Sequence, residues 1–144
     1  MSHSISAYLA NLREVGPTCQ IKITPSEATI KILKQEKKKI PSAKVLAIID
    51  TGASSTAVSR EVVKKLELVS RGTAKVYTSA RKSEIRNEYD ISLEFGKDVQ
   101  LHVLRALEAN LGDHKIHCII GRDVLELGVF TYDGPKKRFS LRFT

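Results

Sequence analysis

Near its middle the chain reads Ala47-Ile48-Ile49-Asp50-Thr51-Gly52-Ala53, directly after Val45 and Leu46. The apolar run that ends at Ile49 predicts a buried strand, and the glycine after it predicts a tight turn. Asp50 is the acidic residue of this stretch. Its carboxylate is therefore expected at the open end of the strand, where it is positioned for chemistry.

A second stretch repeats this plan and reads Cys118-Ile119-Ile120-Gly121-Arg122-Asp123-Val124-Leu125. Together the two stretches resemble the retropepsin family, the retroviral-type aspartic proteases, and the resemblance extends from about Gly16 to the end of the chain. It implies a retropepsin-like closed β-barrel of the cellular or bacterial single-domain type. It also implies an aspartic endopeptidase that acts on a peptide or protein substrate and needs no metal or organic cofactor.

The resemblance assigns the catalytic role to Asp50. It implies that the Thr51 hydroxyl bonds across a dimer axis and that the Gly52 amide approaches the carboxylate. Ala53 fills a position where some relatives carry serine, and Gly121 supports the active turn.

Arg122 resembles the family's arginine that buttresses the catalytic loop through an acidic partner. Ser54 and Ser55 stand where retroviral enzymes often carry aspartates, so that ion pair cannot form. Backbone carbonyls and Asp123 remain the alternative partners of Arg122.

The segment from Tyr77 to Tyr89 occupies the place of the flap, the hairpin that closes over substrate. No glycine lies between Gly72 and Gly96, although glycines let such a tip move. Two alternatives are left: a flap that works as a lid, and a flap that is short or partly disordered. The flap candidates are Tyr77, Ser79, Ala80, Arg81 and Lys82.

The chain has 144 residues and a single Asp-Thr-Gly, whereas aspartic-protease chemistry needs two carboxylates. We therefore expect a symmetric homodimer in which two Asp50 residues face each other and share one proton; aspartic-protease dyads are a known case of such sharing. The alternative is a catalytically weak retropepsin-like domain used for binding or assembly.

Alternating patterns predict a mostly β domain over residues 16–144, with two short helices, one capped by Ser59 and one over Asp123–Leu127. The runs Cys19–Thr24 and Thr29–Leu33 predict a first hairpin. Residues 1–15 are weakly helical at best and are predicted to form an N-terminal arm or leader.

The net charge of +8 raises the question of nucleic acid, because lysines cluster in residues 34–44 and basic residues again in 136–138. Aromatic residues suited to stacking are scarce, so solvated loops are the favoured interpretation. His117 and Cys118 should point to opposite faces of a strand, which argues against a metal site.

The longest apolar run, Val45–Ile49, is too short to span a membrane. The opening residues lack the pattern of a signal peptide, which predicts a cytoplasmic protein with Cys19 and Cys118 reduced.

Overall fold

The computed structural model describes residues 3–77, 82–112 and 115–143. Its strands are β1 (His3–Tyr8), β2 (Thr18–Pro25), β3 (Ala43–Ile49), β4 (Ala57–Ser59), β5 (Gly72–Tyr77), β6 (Ser83–Phe95), β7 (Val99–Ala109), β8 (Ile116–Ile120), β9 (Gly128–Asp133) and β10 (Arg138–Phe143). Its helices are α1 (Leu12–Val15), α2 (Glu27–Gln35), α3 (Arg60–Lys65) and α4 (Arg122–Leu125).

Six strands form a closed barrel. They pair in the order β2-β3-β8-β4-β7-β6, and pairing of β6 with β2 closes the ring. β5 adds to the outside of β6. Large buried side chains fill the core, among them Ile23, Ile91, Leu93, Phe95 and Ile120. This architecture confirms the predicted mostly β, retropepsin-like closed barrel.

A second sheet of three strands, in the order β1-β10-β9, lies beside the barrel. The weak helix predicted within residues 1–15 is wrong for residues 3–8, which form β1. In β1, Ile5 and Ala7 pack against the core, opposite Leu141 and Phe139 of β10. Inward-facing residues that alternate in this way are typical of a strand. Leu12 of α1 is buried as well. The domain boundary at residue 16 stays a prediction.

The hairpin predicted over Cys19–Leu33 is also wrong, because its second half is helix α2. The Ser26 side chain accepts a hydrogen bond from the Thr29 amide at 3.2 Å, which caps the helix. Glu27 and Lys31 then form an i,i+4 ion pair at 3.8 Å. β3, and not residues 29–33, pairs with β2.

Helices α3 and α4 occupy the positions of the two predicted short helices. Ser59 caps α3 by accepting a hydrogen bond from the Val62 amide at 3.3 Å. Val62 and Leu66 are buried in the core, so α3 packs against the barrel through the face that carries them. None of the described helices is long and apolar enough to cross a membrane.

Candidate active site

The two motifs meet at the ends of neighbouring parallel strands. β3 and β8 pair in a register that sets Ile49 beside Ile120, so the residues after each strand emerge together. The Asp50 amide donates to the Ile120 carbonyl at 2.9 Å, which extends the pairing by one residue. Asp50 and Gly121 therefore follow the same edge of the barrel.

Asp50 is exposed at the end of β3, and a tight turn orients its carboxylate. The Gly52 amide donates to Asp50 Oδ1 at 2.9 Å, which is the contact implied by the resemblance. The Ala53 amide donates to the Asp50 carbonyl at 3.2 Å. A Cβ on Gly52 would lie 3.2 Å from Oδ1, so glycine gives the carboxylate room at this point.

Arg122 ties the active turn to the second motif. Its guanidinium Nη1 donates to the Thr51 carbonyl at 2.7 Å, and its backbone amide donates to the Ala53 carbonyl at 2.8 Å. Of the two alternative partners, backbone carbonyls are therefore the observed ones. Arg122 supports the turn without any ion pair in the described residues.

Gly121 is required by close backbone approach. A Cβ at this position would lie 2.5 Å from the carbonyl carbon of Ser55 and 2.6 Å from its oxygen. The Gly121 amide donates to Thr56 Oγ1 at 3.1 Å. The segment after Asp50 thus passes directly over the start of α4.

Sequence reasoning missed Thr56 and considered Asp123 only as an alternative partner of Arg122. The Asp123 carboxylate accepts from the Thr56 amide at 3.0 Å, from the Thr56 hydroxyl at 2.7 Å and from the Val124 amide at 2.9 Å. Thr56 is fully buried. The available signal was the acidic residue in the first turn of α4, which suits a helix N-terminus.

Only part of the predicted flap falls on described residues. Tyr77 ends β5 opposite Ser83 and is 74% exposed, and Lys82 comes directly before β6. The candidates Ser79, Ala80 and Arg81 lie outside the described residues. Tyr77 shares one face of the β5–β6 hairpin with Ile85, which is 78% exposed.

The two cysteines are free. They lie on β2 and β8, on either side of Ala47 of β3. Two strand spacings make roughly 10 Å, which is too far for a disulfide. Burial raises the pKa of Cys19 to about 11 and also raises the pKa of Cys118.

His117 is engaged away from the active turn. Its Nδ1 lies 2.9 Å from Oγ of Ser59, and Ser59 is fully buried, so the Ser59 hydroxyl is closed to a substrate. In the ranges that the structure describes, no three His, Cys, Asp or Glu side chains are grouped closely enough to hold a metal ion.

Comparison with known proteins places this geometry among aspartic proteases. A family model described as "Aspartyl protease" matches residues 37–124, which include Asp50, Gly121 and Arg122. No curated protein matches the chain in sequence. Among solved structures, a retropepsin-like aspartic protease from Rickettsia conorii is similar, with a TM-score of 0.57 and 20% identity over 99% of this chain and 92% of that one. At this identity the likeness shows the fold.

Proposed function

Because the chain belongs to the aspartyl protease family, we propose that it is an endopeptidase whose catalytic dyad consists of Asp50 from each of two identical subunits. One observation carries the proposal: the Asp50 carboxylate is exposed at the end of a core strand and oriented by the Gly52 amide. Its position is fixed by the barrel, and none of the described residues donates a hydrogen bond to its other oxygen, Oδ2, which is available for a water molecule or a second carboxylate.

The second carboxylate is proposed to come from another copy of the chain. Asp123 is the other acidic residue of the two motifs, and both of its oxygens accept hydrogen bonds from Thr56. The sequence contains no second Asp-Thr-Gly. A symmetric dimer supplies the missing group with the least additional structure.

The proposed reaction begins with one proton shared between the two Asp50 side chains, because like charges a few ångströms apart do not both ionise. The ionised carboxylate takes a proton from a bound water, and the water oxygen attacks the scissile carbonyl carbon. The protonated carboxyl donates its hydrogen bond to the carbonyl oxygen. Collapse of the tetrahedral intermediate breaks the C–N bond, and the nitrogen leaves with a proton from the dyad.

Thr51 is proposed to join the two active turns. Its carbonyl accepts from Arg122, which fixes the backbone, and the residue itself is exposed. The hydroxyl is therefore free to bond to the partner's turn. This contact would couple dimer formation to the orientation of both Asp50 side chains.

The β5–β6 hairpin is proposed to contact the substrate through the face that carries Tyr77 and Ile85. Both side chains are exposed in the single chain, and Lys75 lies 5.8 Å from the Tyr77 ring on the same face. Large exposed apolar side chains on a protruding hairpin suit a surface that is covered when a peptide binds. The cytoplasmic location stays a prediction.

The test is a peptidase assay on a mixed peptide library with wild type and Asp50→Asn. The variant keeps the shape of the side chain and removes the ionisable group, so folding should survive and hydrolysis should vanish. Asp98→Asn is the matched control, because it makes the same change at an exposed turn. Peptide binding without hydrolysis by the wild type would favour the alternative, a binding or assembly domain.

A further inference from the structure

A cavity of about 570 Å³ lies between α2, the loop that follows it and the end of α3. Ser42, which lines this cavity, directly precedes β3, whereas Asp50 follows the opposite end of that strand. The 7 residues of β3 separate the two sites by about 23 Å at roughly 3.3 Å per residue. The cavity is therefore not part of the candidate active site.

The lining of the cavity combines an apolar floor with a basic rim. The floor consists of Pro25, Leu33, Ile40, Pro41 and Leu66. The lining contains three lysines, Lys38, Lys39 and Lys65, and one acidic residue, Glu67. Lys38 is paired with Glu36 at 2.9 Å. In the part of the chain that the structure describes, Lys39 and Lys65 have no acidic partner and are exposed.

A second cavity of about 150 Å³ adjoins the first, because Pro25, Thr29, Leu66 and Glu67 line both. Val69, which follows α3 in the chain, also lines the second cavity, and its side chain is 86% exposed. We define the two cavities together as the α2–α3 groove. Its elongated form suits an extended segment of chain.

We propose that the α2–α3 groove binds an acidic peptide segment of another protein, with carboxylates at Lys39 and Lys65 and an apolar side chain on the floor. The volume of the main cavity lies within the common range for ligand sites, roughly 300 to 1,000 Å³. Unpaired lysines at a groove select a partner of opposite charge. This site would act independently of the Asp50 chemistry.

A nucleic acid fits the groove less well. Single-stranded nucleic acids bind through basic residues together with aromatic side chains on which bases stack, and no aromatic residue lines either cavity. A peptide uses both the apolar floor and the lysine rim.

Fluorescence anisotropy tests the proposal on the full chain carrying Asp50→Asn, so that a bound peptide is not cut. The probe is a fluorescein-labelled peptide of Asp, Glu and Leu, compared with the same peptide carrying Asn and Gln instead of the acids. A third probe is a labelled single-stranded oligonucleotide of equal net charge. The variant Lys39→Gln, Lys65→Gln is measured beside Lys97→Gln, Lys136→Gln, which removes the same charge from two exposed turns outside the groove.

The acidic peptide should bind saturably, and removal of Lys39 and Lys65 should weaken its affinity about tenfold. The control variant should stay within about twofold of the parent, and the neutral peptide should bind more weakly than the acidic one. Absence of saturable binding, equal loss in the two variants, or tighter binding of the oligonucleotide would each overturn the proposal. The binding assay does not require an intact Asp50. A protein that binds the acidic peptide but shows no peptidase activity would therefore contradict the proposed function and leave this proposal standing.

Discussion

Thr56 and Asp123, which are 67 residues apart in the chain, are joined through both the backbone amide and the hydroxyl of the threonine. The same hydroxyl accepts from the Gly121 amide at 3.1 Å. A single buried side chain thus connects the segment after Asp50 with both the end of β8 and the start of α4. The two motifs are held as one unit.

Asp123→Ala should lower the free energy of unfolding by about 3 kcal/mol, because the amide and hydroxyl of buried Thr56 lose a charged acceptor. Urea denaturation measures the change. Asp133→Ala is the control, since Asp133 accepts from the Lys136 amide in an exposed turn, and it should cost less than about 1 kcal/mol. Equal losses in the two variants would contradict a special role for the buried network.

Arg122→Lys should reduce peptidase activity about tenfold while the free energy of unfolding changes by less than about 1 kcal/mol. Arg122 is exposed, so little stability depends on it, but lysine lacks the planar fork that fixes the Thr51 carbonyl. Activity and urea denaturation are measured together on each variant. Arg138→Lys, at an exposed position on β10, should leave both unchanged. Full activity in Arg122→Lys would show that the bond to Thr51 is dispensable.

Gly121→Ala should lower the free energy of unfolding by about 1–3 kcal/mol and abolish hydrolysis, because its methyl group would overlap the backbone of Ser55. Gly72→Ala provides a matched control, since a Cβ there meets no atom within 4 Å. Thermal and urea denaturation compare the two. A Gly121→Ala protein as stable as the control would mean that the Ser55 segment moves aside freely.

Dimer formation predicts a concentration dependence of the rate. Because one chain supplies one Asp50, activity per milligram should fall on dilution below the dimer dissociation constant. Analytical sedimentation over the same concentrations should show dimers dissociating where activity is lost. Full activity from a sample that sediments only as monomer would remove the two-subunit dyad from consideration.

The raised pKa of Cys19 predicts slow thiol chemistry. A shift from the usual value near 9.0 to about 11 lowers the thiolate fraction at pH 8 by about a hundredfold, so a disulfide reagent should react far more slowly with folded than with urea-unfolded protein. Between pH 9 and 11 the folded state retains protons that the unfolded state releases. The free energy of unfolding should therefore fall as pH rises through this range. Equal reaction rates in both states would contradict the partial burial of Cys19 against the core.

The position of Asp50 was predictable because it depends on local pattern alone. A continuous apolar run predicts a core strand, and Gly52 predicts the turn that ends it. Ser59 was likewise predictable as a cap, since hydroxyl residues before a helix bond to its first free amides.

Other features depend on information that local pattern does not carry. Thr29–Leu33 alternates like a strand, but Ile30 and Leu33 also share a helix face, and capping by Ser26 decides between the two structures. Thr56 follows two serines, so its sequence context predicts a solvated residue. In the folded chain, parallel pairing of β3 with β8 brings Asp123 to it. The carbonyl partner of Arg122 has no sequence signature, because every residue carries a carbonyl.

The ring of six strands closes without β5, which in the described residues pairs with β6 and no other strand. The first residues of β6 have β5 as their partner, and pairing with β7 begins at Glu88. Substitutions or insertions in the outer hairpin therefore break no hydrogen bond of the ring. Variation in this hairpin can therefore accumulate while β3 and β8, each held by strands on both sides, keep the turn that carries Asp50 in place.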